Sequence, residues 1–263
     1  MKRYALFLDI DGTLVSFKTH QIPPSTIFAL TQAKANGHKV FIATGRPKTI
    51  ITNLGAIEHL VDGYLTTNGA YCFVGDEVVC STPIERRDVD YILHDARRND
   101  YACIIASQTE FVVWNPRECV DRIFRRQLAV EQLDMERPVD KALTEDILQL
   151  SPFFDEAYEQ ELMAHVPDCV SGRWHPEFTD ITSRRADKGI GLHALARHIG
   201  LPLDATIAFG DGGNDAAMIR AAGTGVAMGN ALDSLKHEAD LVTTSVDDDG
   251  ILNALRRLGL IDN

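Results

Sequence analysis

The chain has 263 residues, 45% of them hydrophobic and 24% charged, and a net charge of −12. That is enough for one large core or two modest ones, in the composition of an ordinary soluble globular protein. It offers no basic stripe for nucleic acid and no apolar run long enough to span a bilayer.

Residues 4–9 read as a strand, an apolar β-prone run that closes on Asp9 and Asp11, with Gly12-Thr13 next. Period-2 geometry sets both carboxylates on about the same side until Gly12 lets the backbone turn. Charge at the end of a buried strand must be solvated, paired or bound to a cation. The pair therefore points to a metal site, a nucleophile or both, with a plain Asp-Gly turn as the alternative. Residues 25–36 read as a helix, introduced by Pro23-Pro24 and stopped at Gly37. Residues 39–43 form a second strand, ending at Thr44-Gly45-Arg46-Pro47, and 64–67 a third, ending at Asn68-Gly69. A hairpin of 71–74 and 78–80 around Gly75-Asp76 follows.

Residues 82–186 change in character. Helix 89–98, strands 102–106 and 111–114, helices 118–128 and 156–165, and strands 169–174 and 178–182 suggest an α+β module on an antiparallel sheet. This stretch also holds most of the charge imbalance, and it reads as a domain inserted through linkers near Ser81-Thr82-Pro83 and residues 183–186. The first rhythm then resumes. Helix 188–199 starts in Asp187-Lys188-Gly189, and strand 206–209 leads into Gly210-Asp211-Gly212-Gly213-Asn214-Asp215 and a helix through Ile219. A short strand near 225–228 follows. Alternating strands and helices predict an α/β fold, a Rossmann-like three-layer parallel sheet built by right-handed crossovers. The expected organisation is a core of 1–81 and 187–263 with 82–186 inserted.

Ligands in such sheets sit outside the carboxyl ends of the strands. Four polar clusters fall at that edge, although they are far apart in sequence: Asp9, Asp11 and Thr13; Thr44, Gly45 and Arg46; Asp187-Lys188-Gly189; and residues 210–215. In order and content they resemble the haloacid dehalogenase superfamily of phosphohydrolases. The likeness is closest to its Cof-type branch, whose large C2-type (IIB) cap is inserted after the third strand.

The resemblance implies a Mg²⁺-dependent phosphatase acting on a small phosphate monoester, with sugar phosphates favoured. Asp9 is then the nucleophile, forming an aspartyl-phosphate, and Asp11 the acid for the leaving oxygen and later the base for water. A carboxylate attacking a phosphate dianion needs fixed positive charge nearby. By the resemblance, Mg²⁺ takes the Asp9 carboxylate, the Asp11 carbonyl and Asp211, with Asp215 in support. Lys188 supplies a compact charge, Thr44 a hydroxyl, and the N–H groups of Ile10 and Gly45 a cradle for phosphate oxygens. Asn214 reaches the phosphate or the substrate side of the cleft.

Other readings stay open at single positions. Arg46 could touch phosphate or serve an ion pair, and Asp215 could simply favour the start of its helix. His175, Glu177 and Thr179, near the second linker, read first as packing residues, and Asp247-Asp248-Asp249 as a solvated helix start. A sugar phosphomutase and a non-catalytic receiver-like phosphoacceptor are the rival functions. The five cysteines form no Cys-x-x-Cys pair, which argues against a disulfide framework or a zinc site. Residues 1–4 lead into a strand without a cleavage-like segment, so the expectation is a cytoplasmic protein, monomeric or a small homo-oligomer, with a small phosphorylated metabolite as partner and no membrane.

Overall fold

The computed structural model describes residues 2–128, 130 and 133–262. The first strand, β1 (Ala5–Leu8), is buried at every position, as a central strand covered on both faces must be. Helix α1 (Pro24–Ala35) starts on a proline, where the missing N–H is no loss, and gives way to Gly37 in the left-handed region. Strands β2 (Lys39–Ala43), β3 (Gly63–Thr66), β4 (Tyr71–Val74) and β5 (Glu77–Ser81) follow.

The middle of the chain supplies α2 (Arg86–Arg98), β6 (Cys103–Ser107), β7 (Phe111–Trp114), the single turn α3 (Glu118–Val120), α4 (Asp140–Thr144), β8 (Ile147–Pro152), α5 (Glu156–Met163), β9 (Cys169–His175) and β10 (Phe178–Ser183). The chain then forms α6 (Lys188–His198), β11 (Thr206–Gly210), α7 (Ala216–Ala221), β12 (Thr224–Ala227), α8 (Asp233–Glu238), β13 (Leu241–Val242) and α9 (Gly250–Arg257).

Eight strands form one sheet in the order β13-β12-β11-β1-β2-β3-β4-β5. The pairs from β13 to β3 are parallel, and β4 turns back antiparallel on β3. Registers of Leu8 with Phe209 and with Ile42 bring the carboxyl ends of β11, β1 and β2 level. The ladder runs one residue further at two points, Asp9 N–H to the Phe209 carbonyl (3.1 Å) and Thr44 N–H to the Leu65 carbonyl (2.8 Å). The parallel α/β sheet predicted from the alternation is therefore what forms.

A second, five-stranded sheet has the order β7-β6-β8-β10-β9, with antiparallel pairing throughout. The chain divides into two compact units, residues 1–45, 52–80 and 187–263 in one, and 46–51 with 81–186 in the other. The short segment Arg46–Ile51, assigned with the core on sequence, thus groups with the second unit. Ile50 packs there among Phe111, Phe124, Phe153 and Phe178. Burying each such side chain contributes about 1.5–3 kcal/mol relative to leaving it in water.

The second unit departs from the sequence reading in three places, the first being the helix α4, which that reading does not contain. Strand β8, central in its sheet, has no counterpart in that reading. The helix expected over 118–128 winds as α only for α3 and then widens to a π-helix over Asp121–Gln127, closed by the Leu128 N–H on the Ile123 carbonyl (2.9 Å). Thr179 is buried with its hydroxyl on Glu159, Glu177 pairs with Arg122, and His175 stacks on Phe178, so all three have packing partners. Among the described residues no helix is long and apolar enough to cross a membrane.

Candidate active site

The carboxyl end of β1 releases Asp9 into a turn in which Ile10 accepts from Leu14 and Val15 (3.0 and 2.8 Å) and Gly12 donates back to the Val15 carbonyl (2.9 Å). Gly12 has φ +83°, and any side chain there would overlap the Asp211 carboxylate. Only glycine brings the turn that close to the loop after β11. Asp11 is half-buried in this turn, bridged to Val15, and its charge acts on both Asp9 and Asp211.

Asp187 caps α6 by accepting from the Ile190 N–H at 2.7 Å. That fixes the start of the helix and turns the next side chain inward. Lys188 is fully buried, its ammonium 2.6 Å from Asp9 and 2.5 Å from Asp215. Asp215, also fully buried, uses its other oxygen to accept from the N–H groups of Asp211 and Gly212, both at 2.9 Å. It therefore clamps the loop after β11 and holds Lys188, well beyond a generic preference for a helix start.

Asp211 accepts from the Thr13 hydroxyl (3.3 Å) and the Asn230 amide (3.4 Å). One ligand atom from each of Asp9, Asp211 and Asp215 lies within 4.8 Å of the others. One ammonium thus faces three carboxylates. Two unit charges about 4 Å apart interact by about 4 kcal/mol at an effective dielectric near 20, so a single lysine leaves the group short of positive charge. Burial, and then the Asp215 charge, push the Asp211 carboxyl up to about 7. Burial and Asp215 likewise hold Asp9 well above the usual carboxylate range, against the pull of Lys188. Burial disfavours the Lys188 charge, yet Asp215 and Asp9 outweigh it and raise the ammonium above its ordinary value. Oxygen donors in excess of local positive charge suit a hard divalent cation such as Mg²⁺.

Thr44 lies buried at the end of β2, its carbonyl accepting from the Asn68 N–H (3.1 Å). A Cβ on Gly45 would stand 3.1 Å from the Asn68 amide oxygen and 3.5 Å from the Asn214 amide nitrogen, which itself donates to Asn68 (3.0 Å). Thr44, Gly45 and Asn214 therefore share a corner of the first unit. Arg46 begins the segment that packs with the second unit and is not grouped with them. Asp247 is a correction to the reading of 247–249 as a merely solvated helix start: it accepts from the Ser16 hydroxyl (2.6 Å) and pairs with Lys18 (2.8 Å).

Two residues of this site were not among those the sequence assigned to it. Asn68 adopts φ +52° and joins Thr44 to Asn214. Asn230 donates to the Gly12 carbonyl (2.8 Å) and to Asp211, and accepts from the Val246 N–H (2.9 Å). Each follows a strand of the parallel set, the one signal in the sequence that could have found them.

A sequence profile of the haloacid dehalogenase-like hydrolases matches residues 6–255. YkrA of Bacillus subtilis is 31% identical over 97% of this chain and 98% of its own length. The pyridoxal phosphate phosphatase YbhA of Escherichia coli is 30% identical over 92% and 93%. Among solved structures, the HAD subclass IIB sugar phosphatase BT4131 is similar over 98% of this chain and 100% of its own, with 44% identity and a TM-score of 0.90.

Proposed function

The chain belongs to the haloacid dehalogenase-like hydrolase family and is a phosphoric monoester hydrolase, and from that premise we propose that it is a Mg²⁺-dependent phosphatase of small sugar phosphates working through an aspartyl-phosphate on Asp9. The observation that carries the reading is the buried Lys188 held between Asp9 and Asp215, with Asp211 beside them. Such an array orients one carboxylate for attack and leaves two acids for a cation.

In this mechanism an Asp9 oxygen attacks phosphorus as the ester oxygen departs, and the Asp11 carboxyl gives its proton to that oxygen. The product is the free alcohol and a phosphoryl group on Asp9. Asp11, now ionised, takes a proton from water, which attacks the phosphoryl group and releases inorganic phosphate, restoring Asp9. Lys188 keeps the Asp9 carboxylate fixed and offsets charge in both steps. The Thr44 hydroxyl and the N–H groups of Ile10 and Gly45 hold phosphate oxygens, and Asn214 the substrate side. Asp9, the Asp11 carbonyl and Asp211, backed by Asp215, would hold Mg²⁺, which when bound supplies the further positive charge that a dianionic substrate requires.

The 44% identity to a sugar phosphatase favours sugar phosphates over the pyridoxal phosphate of the more distant relative. Phosphate release from hexose phosphates and from pyridoxal phosphate, each with and without Mg²⁺, is the test. Mg²⁺-dependent release, fastest with hexose phosphates, is expected. Release that survives chelation, or a rearranged sugar phosphate in place of inorganic phosphate, would overturn the proposal.

A further inference from the structure

The connection from β3 to β4 is the one place among the described residues where neighbours in sequence take positive φ in a row: Thr67 (+48°), Asn68 (+52°) and Gly69 (+91°). Asn68 and Gly69 follow the pattern of a type I′ turn, closed by the Ala70 N–H on the Thr67 carbonyl (3.1 Å), and Asn-Gly is a favoured pair there. The turn does not account for Thr67. A β-branched residue in the left-handed region is an outlier, and its hydroxyl is buried without a hydrogen-bond partner among the described residues. Such conformations persist where the surroundings over-determine them, and they gather at functional sites.

The surroundings here are the first unit's own site groups. At Gly69 the turn lies against the start of α6: a Cβ there would stand 2.1 Å from the Asp187 carbonyl oxygen and 3.2 Å from the Lys188 nitrogen. At Asn68 the backbone N–H donates to the Thr44 carbonyl (3.1 Å). With its backbone held at both points, the Asn68 side chain lies over Gly45, its amide oxygen and nitrogen 3.1 and 3.3 Å from where a Cβ would be. That oxygen accepts from the Asn214 amide at 3.0 Å.

Asn214 has need of such a partner. Its neighbour Asp215 is buried and fixed by Lys188 and two N–H groups, so the backbone beside it is set. The Asn214 side chain is exposed, and an exposed amide samples several rotamers unless a partner selects one. The bond to Asn68 selects the rotamer that brings the Asn214 nitrogen beside Gly45, 3.5 Å from where a Cβ would be.

We propose that Asn68 is a positioning residue whose side chain holds the Asn214 amide beside Gly45 to meet the substrate, an inference that rests on the chain acting on phosphate esters. Asn68→Gly tests it, because glycine takes positive φ freely and suits the turn while the amide is lost. Its thermal melt should match that of the unaltered chain. Turnover is measured with Mg²⁺ on whichever of a hexose phosphate and p-nitrophenyl phosphate the unaltered chain hydrolyses faster. KM should rise about three- to tenfold, the loss expected for one hydrogen bond, with kcat within about twofold. Asn214→Ala should raise KM at least as much, and adding Asn68→Gly to it should change KM by less than about 1.5-fold, since the second residue acts through the first. Equal losses in the two backgrounds, or an unchanged KM in either single variant, would overturn the proposal. So would an Asn68→Gly chain that does not fold, because the amide would then serve the fold. Should the unaltered chain hydrolyse neither ester, the phosphatase reading itself falls, an outcome distinct from all of these.

Discussion

Glu110 and Glu159 in the second unit are buried about as deeply as Asp9 in the first, but their surroundings differ. Glu110 has both Arg137 (2.6 Å) and Lys141 as partners, and Glu159 has Arg173. Asp9, Asp211 and Asp215 lie within one small volume and face Lys188. The second unit brings a cation to each of these two acids, as a structural ion pair requires. The first gathers more acids than its lysine can neutralise. Stability alone does not favour such crowding, which belongs with groups whose balance is completed by a ligand. Asp180, also buried in the second unit, has the neutral Ser151 hydroxyl and Trp174 indole as donors.

Removing Lys188 should break this contrast most severely. Lys188→Ala leaves Asp9 and Asp215 buried without their cation, and a broken buried pair costs about 3–5 kcal/mol. Denaturant melts should register that loss, and phosphate release should disappear even where the protein stays folded. Full activity in a folded Lys188→Ala protein would contradict the assignment.

The next effect is one of pH. An acid raised by folding binds its proton more tightly in the folded chain than in the unfolded one. With its carboxyl up at about 7, Asp211 should therefore make the metal-free protein less stable as pH climbs from the ordinary carboxylate range through that value. A cation that needs the ionised carboxylate competes with the proton, so Mg²⁺ affinity should weaken as pH drops below about 7. Calorimetric titration at several pH values tests this; an affinity flat with pH would remove the argument from crowding.

The smallest effect belongs to the second unit. Glu110→Gln releases Arg137 and Lys141, which are 48% and 63% exposed and can turn to water. The loss should be about 1 kcal/mol or less. A modest fall in melting temperature with kcat unchanged is expected. A loss as large as that of Lys188→Ala would erase the distinction between the two regions.

Much of the parallel sheet could be read from sequence, because strand ends punctuated by Asp9, Thr44 and Asp211 alternate with helical stretches. Lys188 was legible for a related reason: a lysine just after a helix cap opposes the helix dipole and so calls for an explanation. Strand β8 was not legible. Its Gln149 and Ser151 interrupt the apolar run and it ends on Pro152, so it lacks a clean strand signal. Its polar positions answer to Asp180, whose presence 29 residues beyond Ser151 no local pattern announces. Asn230 was hidden in the same way, since its partner Gly12 lies 218 residues away. Nor does periodicity distinguish an α-helix from the π-wound turns of 121–127, where Ile123 and Phe124 are buried in the apolar cluster.

The central claim is that Asp9 carries the phosphoryl group. Acid quenching during turnover of a hexose phosphate with Mg²⁺, followed by peptide mass spectrometry, tests it directly. Phosphate should be found on Asp9 in the unaltered chain, and Asp9→Asn should give neither the adduct nor inorganic phosphate. Turnover with no modification at Asp9, or steady phosphate release by Asp9→Asn, would contradict it.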